Sequence, residues 1–190
     1  MINTQINKGG AVNMRLRRFE KVSEEAILAN LTRVKEEGKP NVFASDRVIM
    51  PLRGTKHSAG YDIFNPIPQD IVIPPNKKVL IWTNIKVFMQ EEEVLMAVVR
   101  SSMGIKLDLT LANTLGIIDM DYYNNPKNEG NIGICLKNTG DEDVIIKYGD
   151  AIGQLIFLPY LVSDNCNTDN DRVGGIGSTT EIIKGEYKHD

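Results

Sequence analysis

With 190 residues, the chain suits one domain with an appendage, or at most two small domains. A domain of this size buries about 70% of the surface its unfolded chain exposes, so it needs no disulfide or metal staples. A net charge of −3 and a pI near 5.5 argue against a generic nucleic-acid binder, which needs a basic footprint, but leave room for a small anionic ligand held by local positive charge.

Hydrophobic residues at 42% and charged residues at 25% are the balance of an ordinary soluble globular protein. Cys135 and Cys166 have no paired spacing, and with His57 and His189 they do not make a structural zinc pattern. Both cysteines read as reduced thiols, Cys135 in a strand and Cys166 in a loop. The opening MINTQINKGGAVNMRLRRF lacks an apolar h-region, and no run approaches the ~20 apolar residues that span a bilayer. The expectation is a cytoplasmic protein with no membrane partner.

In chain order, residues 1–13 are polar and Gly-containing and read as a loose arm, and Met14 to Val22 as a first strand. Ser23 is a candidate N-cap with Glu24 and Glu25 favourable in a first helical turn. Ile27, Leu31 and Val34 follow at helical spacing, and Gly38 to Pro40 end the pattern. This is the one helix the sequence announces. From residue 46 the texture becomes short β-branched runs between Gly, Pro, Asn and Asp: DIVIPP, KKVLIWTNIKVFM, EVLMAVV, LDLTLAN, NIGICLKN, DVIIKYGD and AIGQLIFLPYL. Many short strands with turn signals predict an all-β sandwich or barrel. Past Val162 the chain is polar and then glycine-rich, which predicts a flexible arm. The expected division is an appendage over 1–45, a β core over 46–162 and the arm over 163–190.

Five short segments stand out, each with an ordinary explanation when taken alone. In Ser58–Ile63, Asp62 is an acid between apolar neighbours at a strand start, and by itself is best read as a turn residue. Arg100, Ser101 and Ser102 follow an apolar strand and would suit either a polyphosphate grip or a surface turn. In Asn113–Tyr123 an apolar run ends in Asp119, a way to place one carboxylate in a partly dry pocket where it orients a water. Asp119 and Asp121 also evoke a calcium loop, which fails for want of the glycine and flanking helices. Gln154 is a polar side chain inside an apolar strand, satisfied by backbone or facing a ligand. Arg172 to Thr179 is a glycine-rich run able to wrap phosphates, or a plain tail.

In this order on an all-β chain, the five segments resemble those of the trimeric dUTP pyrophosphatase (dUTPase) family over residues 50–180, most specifically from Asn113 to Tyr122. The resemblance implies a β-barrel or jelly-roll fold of the β-clip type with one N-terminal helical insertion and a flexible glycine-rich C-terminal arm. It implies hydrolysis of dUTP to dUMP and pyrophosphate, a Mg²⁺ cofactor, and a homotrimer with sites shared between subunits. By position, Asp119 is expected to activate the attacking water. Tyr122 is expected to pack on the deoxyribose and exclude a 2′-hydroxyl, with Asn113 and backbone near Gly116, Ile117, Ile118 and Gly130 to Gly133 reading uracil. Arg100, Ser101, Ser102 and Gln154 match phosphate-binding positions, and Asp62 matches the acid that reaches Mg²⁺ through water. Arg172, Gly175, Ile176, Ser178 and Thr179 match the arm that closes over a neighbouring subunit's site.

The chain departs from the family pattern in four places. Ile176 replaces an aromatic, Ala151 replaces an arginine, Arg172 stands one residue nearer the glycines, and Asn124 to Glu129 is an insertion in the uracil-binding hairpin. Two alternatives are a dCTP deaminase-like enzyme, disfavoured because Cys135 stands where a glutamate shuttle is needed, and a catalytically weak nucleotide-sensing or partner-binding relative.

Overall fold

The computed structural model describes residues 4–6, 12–14, 17–165 and 172. In chain order the elements are β1 (Thr4–Ile6), β2 (Val12–Met14), β3 (Arg18–Lys21), α1 (Glu24–Glu37), β4 (Val42–Phe43), β5 (Leu52–Arg53), β6 (Tyr61–Phe64) and β7 (Ile71–Ile73). They continue with β8 (Lys78–Trp82), β9 (Ile85–Phe88), β10 (Glu93–Val98), α2 (Ser101–Leu107), β11 (Leu109–Leu111), β12 (Gly116–Asp119), β13 (Gly133–Asn138), β14 (Val144–Ile146) and β15 (Ala151–Pro159). A 3₁₀ turn, Met120–Tyr122, follows β12.

Two sheets dominate. One has the order β12-β10-β15-β6-β5 and the other β11-β13-β8-β4, with β4 parallel to β8 and the remaining pairs antiparallel. Short ribbons pair β14 with β7, β3 with β9 and β1 with β2. β10 shows how the sequence produces this: along EVLMAV, Glu93, Leu95 and Ala97 are buried while Val94, Met96 and Val98 are half-buried, the two-residue period of a strand packed on one face. One apolar cluster takes Ile63, Leu95 and Leu155 from the first sheet and Ile81, Leu109 and Leu136 from the second, so the sheets share a core. Each such side chain contributes roughly 1.5–3 kcal/mol on full burial.

The helix forms where the sequence places it. Ser23 Oγ accepts the Ala26 N–H at 3.1 Å, and Gly38, at φ +57°, closes the helix by donating its N–H to Val34 O. Ile27 and Asn30 are buried on its inner side, and Leu31 and Val34 are half-buried.

Four expectations change, the first being that β1, inside the stretch 1–13 expected to be a loose arm, pairs with β2. The segment from Met14 to Val22 is the end of β2 followed by a separate β3 that pairs with β9. The run from Lys77 to Met89 is two strands: Asn84 takes a left-handed φ of +59°, which asparagine tolerates, and its Nδ2 donates to Ser45 O and Arg47 O. That bend sends β8 into the four-stranded sheet and β9 to β3. A second helix, α2, opens where a loop was expected: Arg100 is its N-cap, and Met103 is buried on one side while Ser101 and Ser102 are exposed. No described helix is long and apolar enough to cross a membrane.

Candidate active site

Sheet register builds one group of polar residues. Val98 on β10 faces Gln154 on β15, which faces Asp62 on β6. The ladder therefore lines up one residue from each of three strands. Gln154 Nε2 donates to Asp62 Oδ1 at 3.0 Å, and Arg100, just past the end of β10, brings Nε to 3.4 Å from the same oxygen. Asp62 is buried and Gln154 half-buried, so Gln154 is satisfied neither by backbone nor by solvent alone, but by an acid on the next strand. Gly60 makes room for this pair, because a Cβ there would come within 3.0 Å of Gln154 Oε1. Ser101 and Ser102 stand exposed in the first turn of α2, where helix N–H groups lack intrahelical acceptors.

The second group lies between β12 and β13. A cavity of about 340 Å³ is lined by Asn113, Gly116, Ile117, Ile118 and Tyr122, joined from the facing side by Ile132 to Cys135. Gly116 lets β12 lie against β10, since a Cβ there would meet Ala97 Cβ at 3.1 Å. A Cβ at Gly133 would press on Leu80 and Trp82. Of the positions expected to read a base and sugar, Asn113, Gly116 to Ile118, Tyr122, Ile132 and Gly133 line this one cavity, and Gly130 and Asn131 do not. Among described residues, no carboxylate lines it. A larger cleft of about 820 Å³, bordered by Arg17, Tyr61, Glu93 and Met120, contains none of the expected site residues.

Asp119 is the last residue of β12, and the 3₁₀ turn that follows turns Tyr122 back into the core. The side chain of Asp119 is 49% exposed. The strand ends there, and among the described residues the guanidinium of Arg172 pairs with Asp119 and also with Asp121. Two carboxylates at one strand end are an acidic locus that a guanidinium neutralises well, and the chain's own Arg172 does so. Gly175, Ile176, Ser178 and Thr179, like Cys166, lie outside the described residues.

Tyr122 is 9% exposed and held at both ends. Its hydroxyl donates to Asn131 O at 2.7 Å and accepts from Asn128 Nδ2 at 2.8 Å, while Asn125 Nδ2 donates to its carbonyl at 2.8 Å. Burial raises the Tyr122 pKa against the opposing Asn128 hydrogen bond and Arg172 charge. Cys135 is also pushed up by burial, with Lys78 opposing. Sequence reasoning missed Asn125, Asn128 and Asn131 as supports, and Cys135 as part of the cavity wall. The density of asparagine after Tyr122 was the available signal for the first three; for Cys135 there was none beyond its strand.

A family model described as dUTPase matches residues 46–180. The chain belongs to the dUTPase family. It is 43% identical over 132 residues to the deoxyuridine 5′-triphosphate nucleotidohydrolase of Lactococcus lactis, covering 68% of this chain and 87% of the relative. It is 34% identical over 154 residues to the enzyme of the same name from Rickettsia canadensis, covering 78% and 97%. Among solved structures, the dUTPase of Streptococcus mutans superposes with a TM-score of 0.58 at 34% identity, over 77% of this chain and 98% of that one. The fold is accordingly the all-β jelly roll expected of a dUTPase, with α1 lying ahead of the matched region.

Proposed function

We propose that this dUTPase assembles each active site from opposite ends of β10 in different copies of the chain, with Asp119 as the base for water attack. The reaction is hydrolysis of dUTP to dUMP and pyrophosphate, as membership of the family establishes. The observation that carries the shared site is a register. Asp119 pairs with Val94, whereas Arg100 stands six residues further along the same strand and its continuation. At roughly 3.3 Å per residue this separates the two by about 20 Å. A base that must lie within one water of the reacting phosphorus and an arginine gripping the same triphosphate are not both supplied by one chain across that span. Exposed Ile105, Leu158, Leu161 and Val162 favour association, and the family supplies the expectation of a trimer.

Uracil and deoxyribose occupy the 340 Å³ cavity, with Asn113 and the backbone of Gly116 to Ile118 on the base and the Tyr122 ring on the sugar. Cytosine would leave buried polar groups unpaired, at about 1–3 kcal/mol each. Asp119 takes the proton of a water whose oxygen bonds to the α-phosphorus as the bond to the β-phosphate oxygen breaks, so pyrophosphate leaves. Arg100, Ser101, Ser102 and Gln154 of another copy hold the phosphates, and Arg172, already at the acid end, is placed to reach them. The donor set suits a triphosphate-borne Mg²⁺: among described residues there is no cluster of three or more acidic, His or Cys side chains. Magnesium typically keeps its waters and takes one or two carboxylates besides phosphate. Asp62 would hold it through water, and the ion when bound neutralises the phosphates. Deamination fits poorly, because Cys135 stands on the cavity wall where a carboxylate shuttle is needed.

Pyrophosphate release from dUTP, dCTP and dTTP tests the reading. Turnover of dUTP alone is expected, and ammonia release from dCTP would replace it with the deaminase.

A further inference from the structure

The segment Asn124 to Glu129 and helix α1 have no part in the chemistry above, yet they meet. The helix opens Ser23-Glu24-Glu25-Ala26. In a capping box the third residue after the cap is an acid that returns to the cap's own N–H; here it is alanine. Glu129, distant in sequence, fills that role: Oε2 accepts the Ser23 N–H at 3.0 Å and Oε1 accepts the Ser23 hydroxyl at 2.6 Å. These bonds, with help from Lys86, lower the Glu129 pKa. Lys86 Nζ also donates to Asn124 Oδ1 at 2.6 Å and to Glu129 Oε2 at 3.2 Å, tying the two ends of the segment to β9. Between those ends the segment is internally bonded. Asn125 Oδ1 accepts from Lys127 and Asn128 N–H, and Asn128 Oδ1 accepts from Gly130 N–H and from Asn125 Nδ2. Two side-chain donors of this assembly reach Tyr122: Asn125 Nδ2 ends on its carbonyl and Asn128 Nδ2 on its hydroxyl.

We propose that Asn128 is a positioning residue that sets the preference for deoxyribose over ribose by fixing the Tyr122 ring, and that α1 braces it through Glu129. The proposal rests on Tyr122 being the ring that packs on the sugar. A steric wall discriminates only as well as it resists displacement: a ring free to shift by about half an ångström admits a hydroxyl that a fixed ring refuses. The tyrosine hydroxyl has one proton, spent on Asn131 O, and Asn128 occupies a lone pair. The ring is thus pinned at its far end while Asn125 pins its backbone.

The test is the ratio of kcat/KM for UTP to that for dUTP, which does not depend on the fraction of folded enzyme. Asn128→Asp keeps the oxygen that accepts from Gly130 and Asn125 and turns the donor to Tyr122 into an acceptor that competes with Asn131 O for the one hydroxyl proton, so the hydroxyl loses one of its two bonds. The ratio should rise by about tenfold, the equivalent of one net hydrogen bond. Tyr122→Phe should raise it similarly, and the double variant should add little to either single change. Ser23→Ala should move the ratio in the same direction by a smaller factor. Tyr122→Ala separates the two levels of the argument. If it leaves the ratio unchanged, Tyr122 is not the sugar wall and the underlying reading fails. If it relaxes the ratio while Asn128→Asp does not, the positioning role alone is overturned.

Discussion

In the proposed site the two ends of β10 hold two halves of the chemistry, and they are built by different means. At the Arg100 end the sheet does the placing: backbone ladders carry Val98, Gln154 and Asp62 into one row, and the side chains then satisfy one another. At the Val94 end the strand stops at Asp119, and the placing passes to a 3₁₀ turn and an asparagine-rich segment that clamps Tyr122 by side-chain hydrogen bonds. A ladder tolerates loss of one side chain because the backbone still fixes its neighbours. A clamp of side chains does not, because each bond depends on the next. The phosphate end should therefore lose binding locally when changed, and the base end should lose geometry.

The largest effect expected is at the base end. Asp119→Asn should lower kcat by about 10²–10⁴-fold, the range of a positioned general base, with dUTP affinity by calorimetry largely kept; near-normal turnover would remove Asp119 from its role. Next, Gly130→Ala places a Cβ 2.6 Å from Tyr122 O at a φ of +84°. A thermal melt should show about 1–3 kcal/mol of lost stability, and an unchanged melt would mean that the clamp yields easily.

At the phosphate end, Gln154→Ala removes one bond to Asp62 and should raise KM for dUTP about fivefold, while affinity for deoxyuridine, which has no phosphate, stays constant. Weakened deoxyuridine binding would erase the distinction between the two ends. The smallest effect is on the brace. Glu129 has a folded pKa below the ordinary value of 4.5, so its contribution is complete above that value and is lost as pH falls through the folded one. Glu129→Gln should cost about 2 °C of Tm at neutral pH, and the gap should shrink as pH falls below the ordinary 4.5. A gap independent of pH would mean that the carboxylate charge plays no part.

How much of this was legible in the sequence follows the same division. Helix α1 announced itself through Ser23, Glu24, Glu25 and Gly38, because caps are local chemistry. The β runs were visible as alternation, but the break at Asn84 was not, since its cause is a pair of carbonyls, Ser45 O and Arg47 O, far away in sequence. The motif residues were nameable individually, yet only register shows that Asp62, Gln154 and Arg100 meet and that Asp119 does not join them. What covers Asp119 was not legible either, because apolar residues before an acid say nothing about what lies over the strand end. The Glu129–Ser23 cap was illegible for the plain reason that 106 positions separate its partners.

Mixing two inactive variants tests the assembly of the site most directly. Equal amounts of Asp119→Asn and Arg100→Ala chains, unfolded together and refolded, combine at random in a symmetric oligomer. If each site takes its base from one copy and its phosphate arginine from another, about a quarter of wild-type dUTP hydrolysis should return. Activity no higher than that of the separate variants would contradict the account and place both residues in a site built within a single chain.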